Sequence, residues 1–596
     1  MKFKYIQIKH LWYGYLLVSC LMACNKLDQR PKSSVGKDAV FQSEKGLELY
    51  TNSFYSILPT AAEILRGDNM TDYIVRKDVP DFIRPGAFGP RQSTGWTWTD
   101  LRNVNYFIEN NVNQTIPEEV RNHYNGLARF FRAWFYFEKV KRFGDVPWIG
   151  RPLAVDDPGL YRGRDSRTLV MDSVLNDLDY AIDHIQARED GTRSRITHYV
   201  AAAFKSRVCL FEGTFRKYHT ELDLKGSADF WLEEAAKAAQ IVMEEGNYSL
   251  FQGTGESKPY RTLFVSPNPI TSEVLLSSQF DEGLAITHDA NWYYTSSTYG
   301  DRANFSRSFM NTYLQIDGTP FTSLSGYATL PFAEEVIDRD ERLSQTIRAP
   351  GYYRVNGGSL VAAPPVFSYT YTGYQPIKWV LDDVSYDSGA HNNNVIPIIR
   401  YAEVLLNYAE AKAELGSLSD ADWNETIGAL RRRAGITGNT TSLPTVMDPY
   451  LQTTYFPDIS DPVLLEVRRE RGIELVLEGF RFYDLVRWKR GKLLEMPWNG
   501  MYVPALNEPL DLNADGEMDV VFYKTMPNNK IPGVTYVNVG ETLNGNPNPM
   551  VLAQGDHGEI IWLNTIPRTW QDKFYLYPIP EDDRLINPEL GQNPGW

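Results

Sequence analysis

The stretch Asp461–Leu494, DPVLLEVRRERGIELVLEGFRFYDLVRWKRGKLL, constrains the fold more than any other. Asp461 can cap a helix, and Pro462 suits the first helical position. Ile473, Val476, Leu477 and Phe480 recur at helical spacing and form an apolar stripe. Arg471, Glu474, Glu478 and Arg481 fall roughly on the other side, with Arg471–Glu474 and Glu478–Arg481 three apart. Gly479 predicts a break or bend, followed by a second helical run carrying Asp484, Arg487 and Trp488. The pattern predicts a salt-bridge network inside a packed helical pair. It holds no metal or nucleophile arrangement.

The segment ERGIELVLEGFRFYDLVRWKRG closely resembles the signature of the RagB/SusD family of outer-membrane nutrient-binding lipoproteins. Three other pieces match that family in the right order: Ile398–Gly416 (IIRYAEVLLNYAEAKAELG), Ala429–Ile436 (ALRRRAGI) and Tyr575–Trp596 (YLYPIPEDDRLINPELGQNPGW). GLARFFRAWFYFEKVKRFGDVP carries the resemblance into the N-terminal half. The resemblance implies several helical hairpins forming a scaffold. It also implies an oligosaccharide or polysaccharide ligand and a SusC-like TonB-dependent outer-membrane transporter as partner.

The residues by themselves predict a mainly α chain. Glu44–Leu58, Asp100–Asn111, Pro117–Phe143, Arg167–Ile185, Thr197–Tyr218 and Asp229–Gly246 are helical by period or composition. Thr197–Gly246 gives two helices with a short connection, and Tyr401–Ala434 another pair around Gly416, with Ala409, Ala411 and Ala413 permitting close approach. Such pairs look like tetratricopeptide-type units, although the repeat consensus is poor. Residues 250–397 and 497–570 are rich in Gly, Pro, Ser, Thr and Tyr. They read as irregular insertions with short strands such as Glu273–Gln279, building a second, loop-rich lobe. The organisation expected is a leader over 1–23, an N-terminal helical part over 24–249 and a RagB/SusD domain over 250–596.

Lys2, Lys4 and Lys9 precede the apolar run Leu11–Met22, which is short for a membrane span and reads as a secretory signal. It ends Leu21-Met22-Ala23-Cys24, which resembles the bacterial lipobox; this implies lipidation at Cys24, anchoring in the outer membrane and a cell-surface location. Asn25–Lys37 is polar and reads as a tether. A formal charge of −15 over 596 residues argues against a nucleic-acid partner. Cys209 is alone in the body and sits in a helical apolar pattern, which predicts buried filler.

Two constellations bear on binding. Asp511, Asn513, Asp515 and Asp519 stand at positions 1, 3, 5 and 9 of an EF-type loop, with Gly516 at 6 and Glu517 offering its carbonyl at 7. Phe522 replaces the bidentate Glu at 12, and no flanking helices are evident, so the expectation is a possible structural calcium or a plain turn. The second constellation is aromatic: Trp96 and Trp98 in one loop-like stretch, and Trp292, Tyr293, Tyr294 and Tyr299 in another. Flat aromatics with polar neighbours suit the apolar faces and hydroxyl rims of sugars. The family resemblance directs part of such a site to the N-terminal loop region, hence to Asp68, Asp72, Arg91, Trp96, Trp98 and Asn103.

Catalytic motifs are missing: there is no His-Glu-x-x-His, Gly-x-Ser-x-Gly, phosphate loop or dinucleotide fingerprint. The family resemblance together with the lipobox implies a non-enzymatic surface lipoprotein that binds oligosaccharides and delivers them to the transporter. A peptide or glycopeptide binder with the same partner, a surface glycosidase, and a scaffold that binds nothing itself are the alternatives.

Overall fold

The structure is a computed structural model that describes residues 40–253 and 258–596. Cys24 and the leader lie outside the described residues. The fold is mainly α. Helices α1 (Thr99–Asn110), α2 (Glu118–Phe143), α3 (Arg167–His184), α4 (His198–Tyr218) and α5 (Ala228–Glu245) form its N-terminal part. Helices α6 (Tyr401–Glu414), α7 (Pro462–Glu474) and α8 (Arg481–Arg487) complete it. Neighbours pack as hairpins: α2 on α3, α4 on α5, and α6 against both α5 and α7.

Local chemistry sets the helix ends. Glu118 and Glu119 open α2, Lys141 and Arg142 close it, and Gly144 at φ 75° follows. Acids at the start and bases at the end both favour the helix dipole, and glycine takes the left-handed stop without a Cβ clash. Thr197 caps α4 by accepting from the Val200 amide, and Asp461 caps α7 by accepting from the Val463 amide. Nearly every α4 residue from Tyr199 to Arg216 is buried, which makes α4 the central helix of the scaffold. Cys209 is among them and is buried as expected.

The stretches expected to be irregular contain short elements. Strands β1 (Val274–Ser278) and β2 (Ile396–Arg400) pair antiparallel. Farther on come β3 (Asn499–Val503), β4 (Pro509–Leu510), β5 (Val520–Tyr523), β6 (Thr535–Asn538), β7 (Met550–Leu552) and β8 (Gly558–Trp562). They form two three-stranded sheets in the orders β6-β5-β4 and β7-β8-β3. One hydrophobic cluster runs from Phe41 to Leu590 and joins these loops to the helices.

Three helical expectations differ in the structure, two at their ends and one by an internal split. The helix over Glu44–Thr51 gives way to a 3-10 turn over Asn52–Ile57. The second helix of the Tyr401–Ala434 pair is split into Asp420–Glu425 and Ile427–Arg433 at Thr426. Most informative is α7, which ends at Glu474, before much of its expected apolar stripe. Leu477 at φ 61° and Gly479 at φ 81° make a left-handed turn, and α8 starts at Arg481. A leucine in that region is strained, and the turn is held from outside by Asp68, whose carboxylate accepts the Leu477 amide at 2.6 Å and the Arg481 amide at 3.3 Å.

The charges of this segment form a buried network, but not through the pairs three apart. Glu474 accepts from Arg400 at 2.6 Å, Arg342 at 2.8 Å and Arg433. Glu478 takes Lys378 at 2.7 Å and Arg400 at 2.7 Å. Arg471 reaches Asp484 at 2.9 Å, and Arg481 reaches Asp72 at 2.7 Å. The turn after Glu474 explains the change: it takes Glu478 and Arg481 off the helix face on which Arg471 and Glu474 sit. Their partners then come from elements distant in sequence. Arg433, Arg400 and Arg342 hold the Glu474 carboxyl far below its ordinary range, against burial. Burial pulls Lys378 down to about 8 despite Glu478.

Candidate functional site

The segment after Thr60 is where the scaffold meets the loop-rich lobe. Thr60 and Glu63 form a capping box on the short helix Ala61–Leu65. The chain then passes so close to the α7–α8 turn that a Cβ on Gly67 would lie 2.5 Å from the Gly479 Cα. From there its side chains diverge. Asp68 and Asp72, both buried, face the turn and Arg481. Arg66 and Asn69 face the other way, toward residues 289–301.

That second direction leads to an aromatic platform. Trp292, on the short helix Ala290–Thr295, stacks on Tyr299 with ring centroids 3.6 Å apart and planes at 10°. Both rings are half-buried. The Tyr299 hydroxyl donates to Asp289 at 2.6 Å, and Arg66 donates to Tyr299 at 3.2 Å and to Asp289. Asp289 is thereby the largest cause of a raised Tyr299 hydroxyl pKa. Beneath, Asn69 donates to the Tyr293 hydroxyl at 2.6 Å and to Asp301 at 3.0 Å, and Arg76 pairs with Asp301 at 2.7 Å. Tyr293 and Tyr294 are buried; the Tyr294 hydroxyl donates to the Leu65 carbonyl at 2.7 Å. These two tyrosines therefore support the platform from below and offer it no open face.

The polar edge continues along the same chain. Arg302 donates to the Tyr371 hydroxyl at 3.1 Å, and Tyr371 stacks on Trp562 at 3.8 Å. Trp562 Nε1 donates to the Arg76 carbonyl at 2.7 Å, which closes the circuit back to the Thr60 segment. Arg66, Asn69, Asp289, Asp301 and Arg302 were not singled out in the sequence. For Arg66 and Asn69 the local signal is an Arg-Gly-Asp-Asn turn after a capping box, which fixes no direction for the side chains.

The other expected residues lie apart from this platform. Trp96 is 8% exposed and packs edge-on against Trp98 and Phe143. Trp98 rests on Phe135 and Tyr136 of α2. Ser93, in the same loop, donates to the Pro578 carbonyl, so this loop is pinned to the C-terminal segment. Exposed Arg91 pairs with Glu581 at 2.6 Å, and Asn103 accepts the Tyr50 hydroxyl at 2.7 Å. Among the described residues, no ring contact joins Trp96 or Trp98 to Trp292 or Tyr299.

The Asp511–Asp519 loop connects β4 to β5, between strands and not helices. Asp511 accepts the Ala514 amide at 2.7 Å and the Gly516 amide at 2.8 Å. Asn513 donates to Asp515 at 2.9 Å, Asp515 accepts the Glu517 amide at 2.9 Å, and Asp519 accepts the Leu512 amide at 2.7 Å. The loop is thus closed on itself. Among the described residues no three His, Cys, Asp or Glu side chains converge as a metal site would require. Partial burial, with Asp511 and Asp515 nearby, pushes Asp519 up to about 6.

Residues 272–596 match the SusD family. A SusD-like protein of Formosa agariphila is 24% identical over 530 residues, 81% of this chain and 90% of that one. Among solved structures, a SusD-like protein of Bacteroides fragilis superposes with a TM-score of 0.67 at 22% identity, over 95% of this chain and all of the other. A second B. fragilis structure, described as a SusD-like carbohydrate binding protein, gives a TM-score of 0.66 at 20% identity over 92% and 99%. The family match spans more than half of the chain, and the helical scaffold agrees with the solved folds: this protein is a member of the SusD family.

Proposed function

We propose that this protein is a surface glycan-binding lipoprotein, anchored through Cys24, that captures oligosaccharides and delivers them to a SusC-like TonB-dependent outer-membrane transporter. The observation that carries the binding role is the half-buried Trp292–Tyr299 stack with Arg66 and Asp289 at its edge. A sugar ring has apolar C–H faces and a hydroxyl rim; flat rings supply contact area and the charged edge supplies orientation. Family membership and the solved carbohydrate-binding relative support the same reading. Among the described residues no helix is long and apolar enough to cross a membrane; the anchor reading is supported by the lipobox-like Leu21-Met22-Ala23-Cys24 and by family membership.

Calorimetric titration with an oligosaccharide panel tests the binding role. Truncating an aromatic hot spot typically costs about 2 kcal/mol, roughly thirtyfold in affinity. Trp292→Ala should weaken the best glycan by at least that factor and release no new reducing ends on prolonged incubation. Unchanged affinity would remove the platform from the binding site; new reducing ends from the wild type would make the protein a hydrolase.

Calcium at Asp511–Asp519 belongs to the same proposal as a structural ion. Binding requires Asn513 and Asp515 to exchange their mutual hydrogen bond for the cation, with Glu517 offering its carbonyl. The gain would be relief of like charge among Asp511, Asp515 and Asp519.

A further inference from the structure

A cavity of about 330 Å³ lies where α2, α4 and the α7–α8 turn meet, bordered by the stretch from Ile57 to Gly67. Trp134, Phe137, Phe211, Phe480, Phe482 and Tyr483 line it with aromatic surface. Ile57 and Pro59, partly exposed, and Glu63 and Glu138, exposed, form its rim. It shares no side chain with the Trp292 platform.

The inner wall has donors to spare. Arg471, 3% exposed, is one of the lining residues. Its Nε donates to Asp484 at 2.9 Å and its Nη1 to Asn407 at 2.9 Å, while its Nη2 donates to nothing. That nitrogen is not among the donors sealed inside the protein, and the cavity is the space this buried side chain borders. Arg207, a second lining residue, repeats the arrangement. Its Nε and Nη2 donate to Glu403 at 2.6 and 2.7 Å, and Nη2 also to the Ile398 carbonyl at 2.8 Å; its Nη1 has no partner and is likewise not sealed. The guanidinium carbons of Arg207 and Arg471 stand 4.9 and 5.7 Å from the centroid of one lining ring, Phe480.

The acceptors of the inner wall, by contrast, are taken. Asp484 accepts from Arg471 and Arg487, and Glu478 from Lys378 and Arg400, each through both oxygens. A ligand that accepts hydrogen bonds is served here, and one that donates is not. The aromatic lining suits a flat apolar body. Because the spare donors are cationic, the strongest match is a carboxylate, whose two oxygens can each take a charge-assisted bond. Glu63 and Glu138 stand in water at the rim, and Lys141 answers Glu138 at 2.8 Å, so neither opposes an anion at the inner wall.

We propose that this cavity binds a small aromatic carboxylate, with its ring among the aromatic side chains and its carboxylate accepting from Arg471 Nη2 and Arg207 Nη1. The inference does not rest on the saccharide reading of the platform and adds a ligand of a different class.

The test is saturation-transfer NMR on the full chain with three probes: phenylacetate, phenylacetamide as the neutral comparison and phenethylamine as the cationic one. Phenylacetate should show the strongest transfer and phenethylamine none. Two variants place the signal. Ile57→Trp, at the partly exposed rim, adds a bulky ring at the entrance. Arg207→Lys keeps a cation for Glu403 but removes the Nη1 donor. Each should lower phenylacetate transfer at least fivefold, read below the variant's own melting temperature and with an unchanged circular-dichroism spectrum. The proposal is overturned if phenylacetate shows no transfer, if phenethylamine or phenylacetamide is saturated as strongly, or if the phenylacetate signal survives either substitution. Failure here leaves the platform untouched, because the platform is read by oligosaccharide calorimetry on Trp292→Ala.

Discussion

The α7–α8 turn and the Trp292 platform are built from the same kinds of residue, arginine, carboxylate and aromatic, and both lean on the segment that follows Thr60. They differ in water. At the turn, Glu474, Arg433 and Arg400 are almost fully buried, and each charge has several partners. At the platform, Trp292 and Tyr299 keep part of their surface open, and the ion pair at their edge is partly exposed. A buried charge with fixed partners specifies where chain segments meet. A half-open aromatic with a charged edge retains the capacity to bind. Composition alone does not separate the two; burial does.

The largest effect should come from breaking the buried side of this comparison. Glu474→Ala leaves Arg342, Arg400 and Arg433 around an empty place, and removing one member of a buried ionic cluster typically costs about 3–5 kcal/mol. Denaturant unfolding should show that loss. Glu478→Ala should act in the same direction through Arg400 and Lys378. A denaturation midpoint unchanged in both variants would mean that the cluster contributes nothing to stability.

Arg66→Ala sharpens the platform side. Hydrogen bonds from a charged donor contribute about 1.5–3 kcal/mol, so glycan affinity should fall about tenfold through loosening of Tyr299 and Asp289. Calorimetry that finds wild-type affinity would place the polar edge outside the ligand's reach.

Asp68 links the two regions and gives a smaller, pH-dependent effect. Burial raises its carboxyl from an ordinary 3.8 to about 7, despite its two backbone hydrogen bonds. Between those values the folded chain holds a proton that the unfolded chain has released. This residue therefore favours folding most at the acidic end, and its contribution declines as pH rises through about 7. Relative to Asp68→Asn, the wild type should lose about 1 kcal/mol between about pH 6 and about pH 8. Parallel stability curves for the two proteins would show that Asp68 does not titrate in that window.

The smallest effect expected is that of calcium. If the Asp511 loop holds the ion, EGTA should lower the melting temperature by about 2 °C, and Asp511→Ala should abolish that response. Indifference of the wild type to EGTA would leave a self-bonded turn.

Much of the scaffold was legible because its signals are local. The helical period of Pro117–Phe143, the Asp461–Pro462 start of α7 and the small residues of α6 each act within a few positions. The end of α7 was not legible, because Asp68, more than 400 residues away in sequence, stabilises a left-handed Leu477 that local propensity opposes. The candidate site was legible only at Trp292 and Tyr299. Asp68 and Arg66 are two residues apart, and only the packing of Gly67 on Gly479 decides which faces the turn and which the platform.

The division of labour between turn and platform is tested most directly by measuring melting temperature and glycan affinity together on the Trp292→Ala/Tyr299→Ala variant. The expected result is an affinity at least thirtyfold weaker with a melting temperature within about 2 °C of the wild type. A large drop in melting temperature with undiminished affinity would contradict it, because the stack would then be core and the ligand would bind elsewhere.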